Sequence, residues 1–162
     1  MDKNSQNIPT LYEWAGGAEA IERMVMTFYD LTLKDDILRP FFEHMSKEHK
    51  HYVALWIGEV FGGPEEYSKI HGALKSHQRM IKAHLAYDIP EVARMRWIQL
   101  MSQAADMENI PDDPEFRSAM MAYFEWGTRM QQVFLSGVPI PNESSVPKWG
   151  WGERKPYIPP KK

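Results

Sequence analysis

The stretch Ala83-His84-Leu85-Ala86-Tyr87-Asp88-Ile89, followed by a helix-like run from Pro90 to Met107, is where this sequence could do chemistry. His84 ends one apolar helical segment; a second helix then opens on proline and carries Trp97 and Met101 one turn apart. An imidazole so placed reads as a ligand, with the helix after it as one wall of a pocket. Two further groups could face that pocket. Tyr29 sits at the edge of an apolar helix face, where a phenol can bury its ring and point its hydroxyl inward, and His49 shares a face with Val53, Trp56 and Val60. Each also has a plainer reading, as a core tyrosine bonded to a carbonyl and as a half-exposed core histidine. His44, His49 and His51 could be imagined as a metal cluster with Glu43 and Glu48, but positions 49 and 51 point to different sides of one helix, which argues against it.

The elements that must position these groups are helical. From Ala18 the residues Ile21, Met24, Val25 and Phe28 recur at helical spacing, with Glu19, Glu22 and Arg23 opposite, which predicts a helix to about Leu33. Before it, Leu11 to Trp14 reads as a short turn ended by Gly16-Gly17. After it come the break Lys34-Asp35-Asp36 and the apolar turn Ile37 to Phe42. Ser46 reads as the N-cap of a helix running to Phe61, stopped by Gly62-Gly63-Pro64. Glu65 to His71 forms another turn of helix, and Ser76 reads as the cap of a segment from His77 to His84. The helix after Pro90 turns Ala93, Trp97, Met101 and Ala104 inward. Past Pro111-Asp112-Asp113-Pro114, a last long helix carries Phe116, Met120, Tyr123, Phe124, Gly127, Met130 and Phe134. No strand pattern or internal repeat stands out. The fold class is all-α, with a disordered lead over residues 1–9, one helical domain over 10–137 and a proline-rich tail over 138–162.

Composition limits what the motifs can mean. A chain of 162 residues with a net charge of -3 is one domain with a real core and no basic stripe, so neither nucleic acid nor an anionic membrane surface is expected as a partner. There is no cysteine, which excludes disulfides, thiolate metal sites and cysteine nucleophiles. The start of the chain is polar and no stretch approaches the ~20 apolar residues of a membrane span, so a cytoplasmic protein is expected. Eleven Met, six Trp, seven Tyr and seven Phe supply large polarisable side chains that would suit an apolar cavity but serve equally as core filler.

Taken together, Leu11 to Gly17, Thr27-Phe28-Tyr29, Leu38-Arg39-Pro40, Gly62-Gly63-Pro64-Glu65-Glu66-Tyr67 and Arg94 through Trp97 to Met101 resemble the truncated haemoglobins, specifically their second group, over about Thr10 to Leu135. The resemblance implies a two-over-two helical sandwich around haem b, held without a covalent bond since no Cys-x-x-Cys-His motif is present. It makes His84 the proximal iron ligand, Tyr29 the distal tyrosine, Phe42 the aromatic on the haem face and Trp97 the distal indole. His49 and Val53 fall at the two distal positions nearest bound ligand, with coordination of the iron by His49 as an alternative role. Tyr67, Met80, Ile89 and Met101 complete the implied haem lining. The sequence departs from the family where Gly72-Ala73-Leu74 stands for Gly-His-Pro and Ala83 for a basic residue. The stretch between Gly63 and His84 is also longer, which leaves His77 as the second candidate ligand.

The residues fit such a role. A neutral imidazole nitrogen can bind iron while its other nitrogen donates to a carbonyl, and an apolar cage excludes water. Tyr29, Trp97 and His49 could each donate to a bound diatomic ligand, at roughly 1 to 2 kcal/mol apiece, or about tenfold in dissociation rate. The expected function is high-affinity oxygen binding at ferrous haem with slow release, which suits scavenging, sensing or redox chemistry better than oxygen transport. The expected partners are oxygen, nitric oxide, carbon monoxide and peroxide, with a reductase and a monomer or homodimer left open. Alternatives are a haem enzyme of the same fold that detoxifies nitric oxide or peroxide, and a haem-free helical binding module.

Overall fold

A short capped turn starts the fold. Thr10 accepts the backbone N–H of Glu13 at 3.1 Å while the Glu13 carboxylate reaches back to the Thr10 N–H, so α1 (Leu11–Ala15) begins in a capping box. Gly16 turns left-handed at φ 109° and α2 (Gly17–Leu33) follows. The remaining helices are α3 (Arg39–Phe42), α4 (His49–Val60), α5 (Glu66–His71), α6 (Ser76–His84), α7 (Glu91–Met107) and α8 (Pro114–Leu135). This is a computed structural model that describes residues 7–158; no strand occurs among the described residues, and most of the expected disordered lead, residues 1–6, lies outside them with residues 159–162.

The apolar face of α2 buries Ile21, Met24, Val25 and Phe28 against α4 and α7, and α7 packs on α8. Two helix pairs, α2 with α4 and α7 with α8, thus make the sandwich, and the short helices α3, α5 and α6 close its open side. The corner after α4 is fixed by sterics. Gly62 has φ 92°, and a Cβ built on Gly63 would meet the Tyr12 ring at 2.5 Å and the Gly58 carbonyl at 2.8 Å, so only glycine lets α1 lie against this turn.

Two expected caps are not caps. The helix expected from Ser46 begins at His49, because residues 46–48 form a turn in which the Ser46 carbonyl accepts from the His49 N–H. Ser76 is the first residue of α6 rather than its cap, and its hydroxyl donates to the Gly72 carbonyl at 2.6 Å. In both places a competing local hydrogen bond decides the helix start.

After α8 the chain has no regular structure up to Ile158, yet it packs. The Ser144 N–H donates to the Leu74 carbonyl at 2.8 Å, and the His77 N–H donates to the Ser144 carbonyl at 3.1 Å. Val146 is buried, the Trp149 N–H donates to Val60 O, and the Trp149 indole donates to Ala119 O at 3.0 Å. The tail therefore straps the start of α6 to α4 and α8.

Candidate functional site

The helices enclose a cavity of about 620 Å³ lined largely by apolar and aromatic side chains. His84 closes α6 with its ring on this cavity. Its Nδ1 lies 2.7 Å from the carbonyl oxygen of Met80, one turn earlier. A carbonyl can only accept, so the proton is on Nδ1 and Nε2 is left with a bare lone pair. Burial pushes the His84 pKa down, with the Met80 bond opposing, which keeps the ring neutral near pH 7. That is the protonation state a metal-ligating imidazole needs.

The opposite wall is built by α2, α3 and α4. Tyr29 is 7 % exposed, stacks edge-on with Phe42 at 5.3 Å, and its hydroxyl is hydrogen-bonded to Nδ1 of His49. Burial raises the Tyr29 pKa, so it is a phenol and not a phenolate. The His49 pKa is lowered, first by burial and then because protonating it beside His84 would set two positive rings against each other, so His49 is neutral too. A neutral phenol and a neutral imidazole sharing one hydrogen bond hold two protons between them. Either the phenol donates and His49 keeps an Nε2–H, or Nδ1–H donates and the phenol keeps its O–H. In both arrangements one donor remains.

Trp97, from α7, lines the same space and packs on Phe28 at 5.1 Å and Phe124 at 5.3 Å; its indole N–H has no hydrogen-bond partner among the described residues. Val53, Tyr67, Met80 and Ile89 also line the cavity. Met101 does not: it is fully buried in the helix core, which corrects its expected place in the lining. One turn beyond Trp97, the helix has already passed the cavity. His77 is also away from it. Its Nδ1 is 2.9 Å from the Ser144 hydroxyl, and its ring lies between Trp56 and Trp126.

Several lining residues escaped the sequence reading. Tyr123, Gly127, Gln131 and Leu135 form one face of α8 on the cavity, a four-residue repeat that could have been seen. Tyr123 is buried and accepts the Trp56 indole N–H at 2.7 Å. The amide oxygen of Gln131 is buried without a partner among the described residues. Arg79 and His71 carry no pattern that marks them, and Arg94 entered only as the first residue of a motif in the family resemblance. Arg79 is exposed on the lining and forms no ion pair among the described residues, whereas Arg94 is saturated by Glu91 at 2.6 Å and Glu125 at 2.7 Å.

A largely apolar cavity of this volume, with one bare imidazole nitrogen on α6 and proton donors on α2, α4 and α7, fits a large apolar prosthetic group with a metal at its centre. The fold and site together define a small helical protein of the haem-pocket kind. A family model described as bacterial-like globin matches residues 10–130, and the chain belongs to that family. Among its relatives, the group 1 truncated hemoglobin GlbN of Nostoc sp. (strain MUN 8820) is 30% identical over 108 residues, covering 62% of this chain and 90% of that protein. The group 2 truncated hemoglobin YjbI of Bacillus subtilis (strain 168) is 26% identical over 124 residues, 76% of this chain and 89% of that one. The solved structure of hemoglobin from Chloroflexus aurantiacus superposes with a TM-score of 0.66 at 30% identity, covering 76% of this chain and 97% of its own. The chain is thus a haem-binding globin whose relatives are truncated haemoglobins, group 2 among them.

Proposed function

We propose that this globin binds oxygen at ferrous haem b with high affinity and releases it slowly. The observation that carries the proposal is the pairing of His84, whose Nε2 is bare because Nδ1 is committed to Met80, with the Tyr29–His49 couple on the facing wall. Haem, when bound, supplies an iron that takes a diatomic ligand reversibly and can change oxidation state. His84 would hold the iron, and Phe42, Val53, Tyr67, Met80, Ile89 and Trp97 would enclose the ring. Arg79, an exposed guanidinium at the lining with no carboxylate partner among the described residues, would face the haem carboxylates. The one donor left by Tyr29 and His49, together with the Trp97 indole, would hold a ligand bearing partial negative charge. With no cysteine, the group is held without covalent attachment.

The same couple supports a second reading, because a neutral imidazole bonded to a phenol can also pass a proton to a breaking O–O bond. On that reading the substrate is peroxide or, with oxygen, nitric oxide, and a reductase supplies electrons. No helix of the described residues is long and apolar enough to cross a membrane. On either reading the protein would act in the cytoplasm, as a monomer or homodimer. Absorption spectra of the ferric, ferrous and carbonyl forms, followed by oxygen dissociation kinetics, test the proposal. A haem-reconstituted protein without an axial-histidine spectrum, or one that loses oxygen as fast as an apolar pocket would, overturns it.

A further inference from the structure

The cavity is not the only opening on α8. On the opposite side of that helix the tail forms a surface groove lined by Lys148, Trp149, Trp151 and Arg154. One line of rings joins the two. Trp56 and Tyr123 both line the cavity and are hydrogen-bonded to each other at 2.7 Å. The Tyr123 ring then lies 5.7 Å from that of Trp149, and Trp149 lies 5.6 Å from Trp126. Trp151 lines the same groove and is similarly half-buried, but its aromatic neighbours are Trp14 at 5.5 Å and Phe116 at 6.2 Å, and it makes no ring contact with Tyr123.

We propose that Trp56, Tyr123 and Trp149 form an electron path from the cavity to the groove, through which peroxide reduced in the cavity draws electrons from a small reductant at the surface. This rests on the haem reading above. Indole and phenol are readily oxidised by one electron, and a hydrogen bond between Trp56 and Tyr123 followed by an edge contact between Tyr123 and Trp149 leaves no saturated gap to cross. The Tyr123 hydroxyl accepts from Trp56 and its own proton has no protein acceptor among the described residues, so tyrosine serves as the bridge and the tryptophans carry the charge. The balance closes. Hydrogen peroxide takes two electrons and two protons, its O–O bond breaks, and two waters form. Two molecules of a phenol- or ascorbate-type reductant each give up one electron and one proton at the groove. In each of the two steps Trp149 passes one electron inward and regains one from the reductant, whose proton goes to solvent; the two protons for the waters enter from solvent. The groove offers the exposed Arg154 to an anionic or phenolic donor, while Lys148 beside it is held by Glu59 and Glu65.

The test uses the full chain reconstituted with haem, its uptake verified by absorption, and treated with limiting hydrogen peroxide in the absence of reductant. Peptide mass spectrometry then maps where oxygen has been added. Trp149 is expected to be modified several-fold more than Trp151, and that preference should vanish in the haem-free protein given the same peroxide. Equal modification of the two tryptophans, or a preference that persists without haem, overturns the path. In Trp149→Phe, which leaves every cavity residue in place, modification should move inward to Trp56 and Tyr123; an unchanged inner pattern also overturns it. Failure to take up haem at all is read directly from the spectrum: it overturns the proposed function, and the path falls with it for want of an oxidant.

Discussion

The Nδ1 atom of His84 and the carbonyl oxygen of Met80 are 2.7 Å apart, one helical turn from each other on α6. This single contact fixes the tautomer of the ring and so chooses which nitrogen faces the cavity. His84→Ala should abolish the axial-histidine spectrum and leave haem weakly held, with added imidazole restoring ligation. His77→Ala should keep both spectrum and haem, since His77 does not reach the cavity. Haem transfer to an acceptor globin, followed by absorption, reads both; haem loss in the His77 variant alone would move the ligand.

Tyr29 and His49 share one hydrogen bond and leave one donor. Tyr29→Phe and His49→Leu should each speed oxygen dissociation, by up to about tenfold, because the donor left in either variant has lost the partner that aims it at a ligand, and a well-aimed hydrogen bond is worth roughly 1.4 kcal/mol. Because the two act as a unit, the double variant should fall short of the product of the singles. Stopped-flow oxygen release measures this, and strictly multiplicative effects would mean that the two groups act on the ligand separately.

His49, His77 and His84 all have pKa values lowered chiefly by burial. A histidine with a folded pKa below its unfolded value of about 6.5 binds fewer protons folded than unfolded. Its contribution is therefore intact above that pH and lost as the pH falls toward the folded pKa. Denaturant unfolding of the haem-free protein should show stability falling below about pH 6.5, and His77→Asn should flatten part of that slope. A stability curve flat from neutral to mildly acid pH would contradict the buried, neutral state of these rings.

Glu59 is 1 % exposed and accepts from the Ser68 N–H at 3.0 Å and from the Ser68 hydroxyl, while Lys148 of the tail lies 3.8 Å away and is itself half exposed. Ser68→Ala deprives a buried carboxylate of a donor and should cost about 1–3 kcal/mol. Lys148→Ala removes a partly solvated ion pair and should cost at most about 1 kcal/mol. Urea midpoints rank the two, and the reverse order would make the tail lysine the principal partner.

Ending the chain after Gly137 removes buried Val146, the Trp149 indole bond to Ala119 and the Ser144 contacts to Leu74 and His77. Burial of the valine alone is worth about 1.5–3 kcal/mol, so the shortened protein should be destabilised by at least that. Hydrogen exchange should rise first at the start of α6, where the strap is attached. An unchanged melting curve would show the tail to be an ornament.

The sequence alone determined the helices and the residues that could do chemistry. Periodicity placed α2, α4, α7 and α8 to within a few residues, because an apolar stripe must face a core wherever that core lies. The Gly62-Gly63 corner was legible because glycine's freedom is local, and His84, Tyr29 and Trp97 were picked out by type and spacing. Tertiary structure decided the rest. Spacing gives the face of a helix but not how far along it a cavity extends, and so Met101 was expected in the lining although it lies in the core. Ser46 and Ser76 looked like caps because cap preference is statistical, and a neighbouring carbonyl or turn redirected each of them. Which histidine lines the cavity, which nitrogen of His84 is bare, the pairing of Tyr29 with His49 and the docking of a proline-rich tail all depend on contacts between segments far apart in the chain. No local pattern encodes such contacts, since they exist only once the helices have packed.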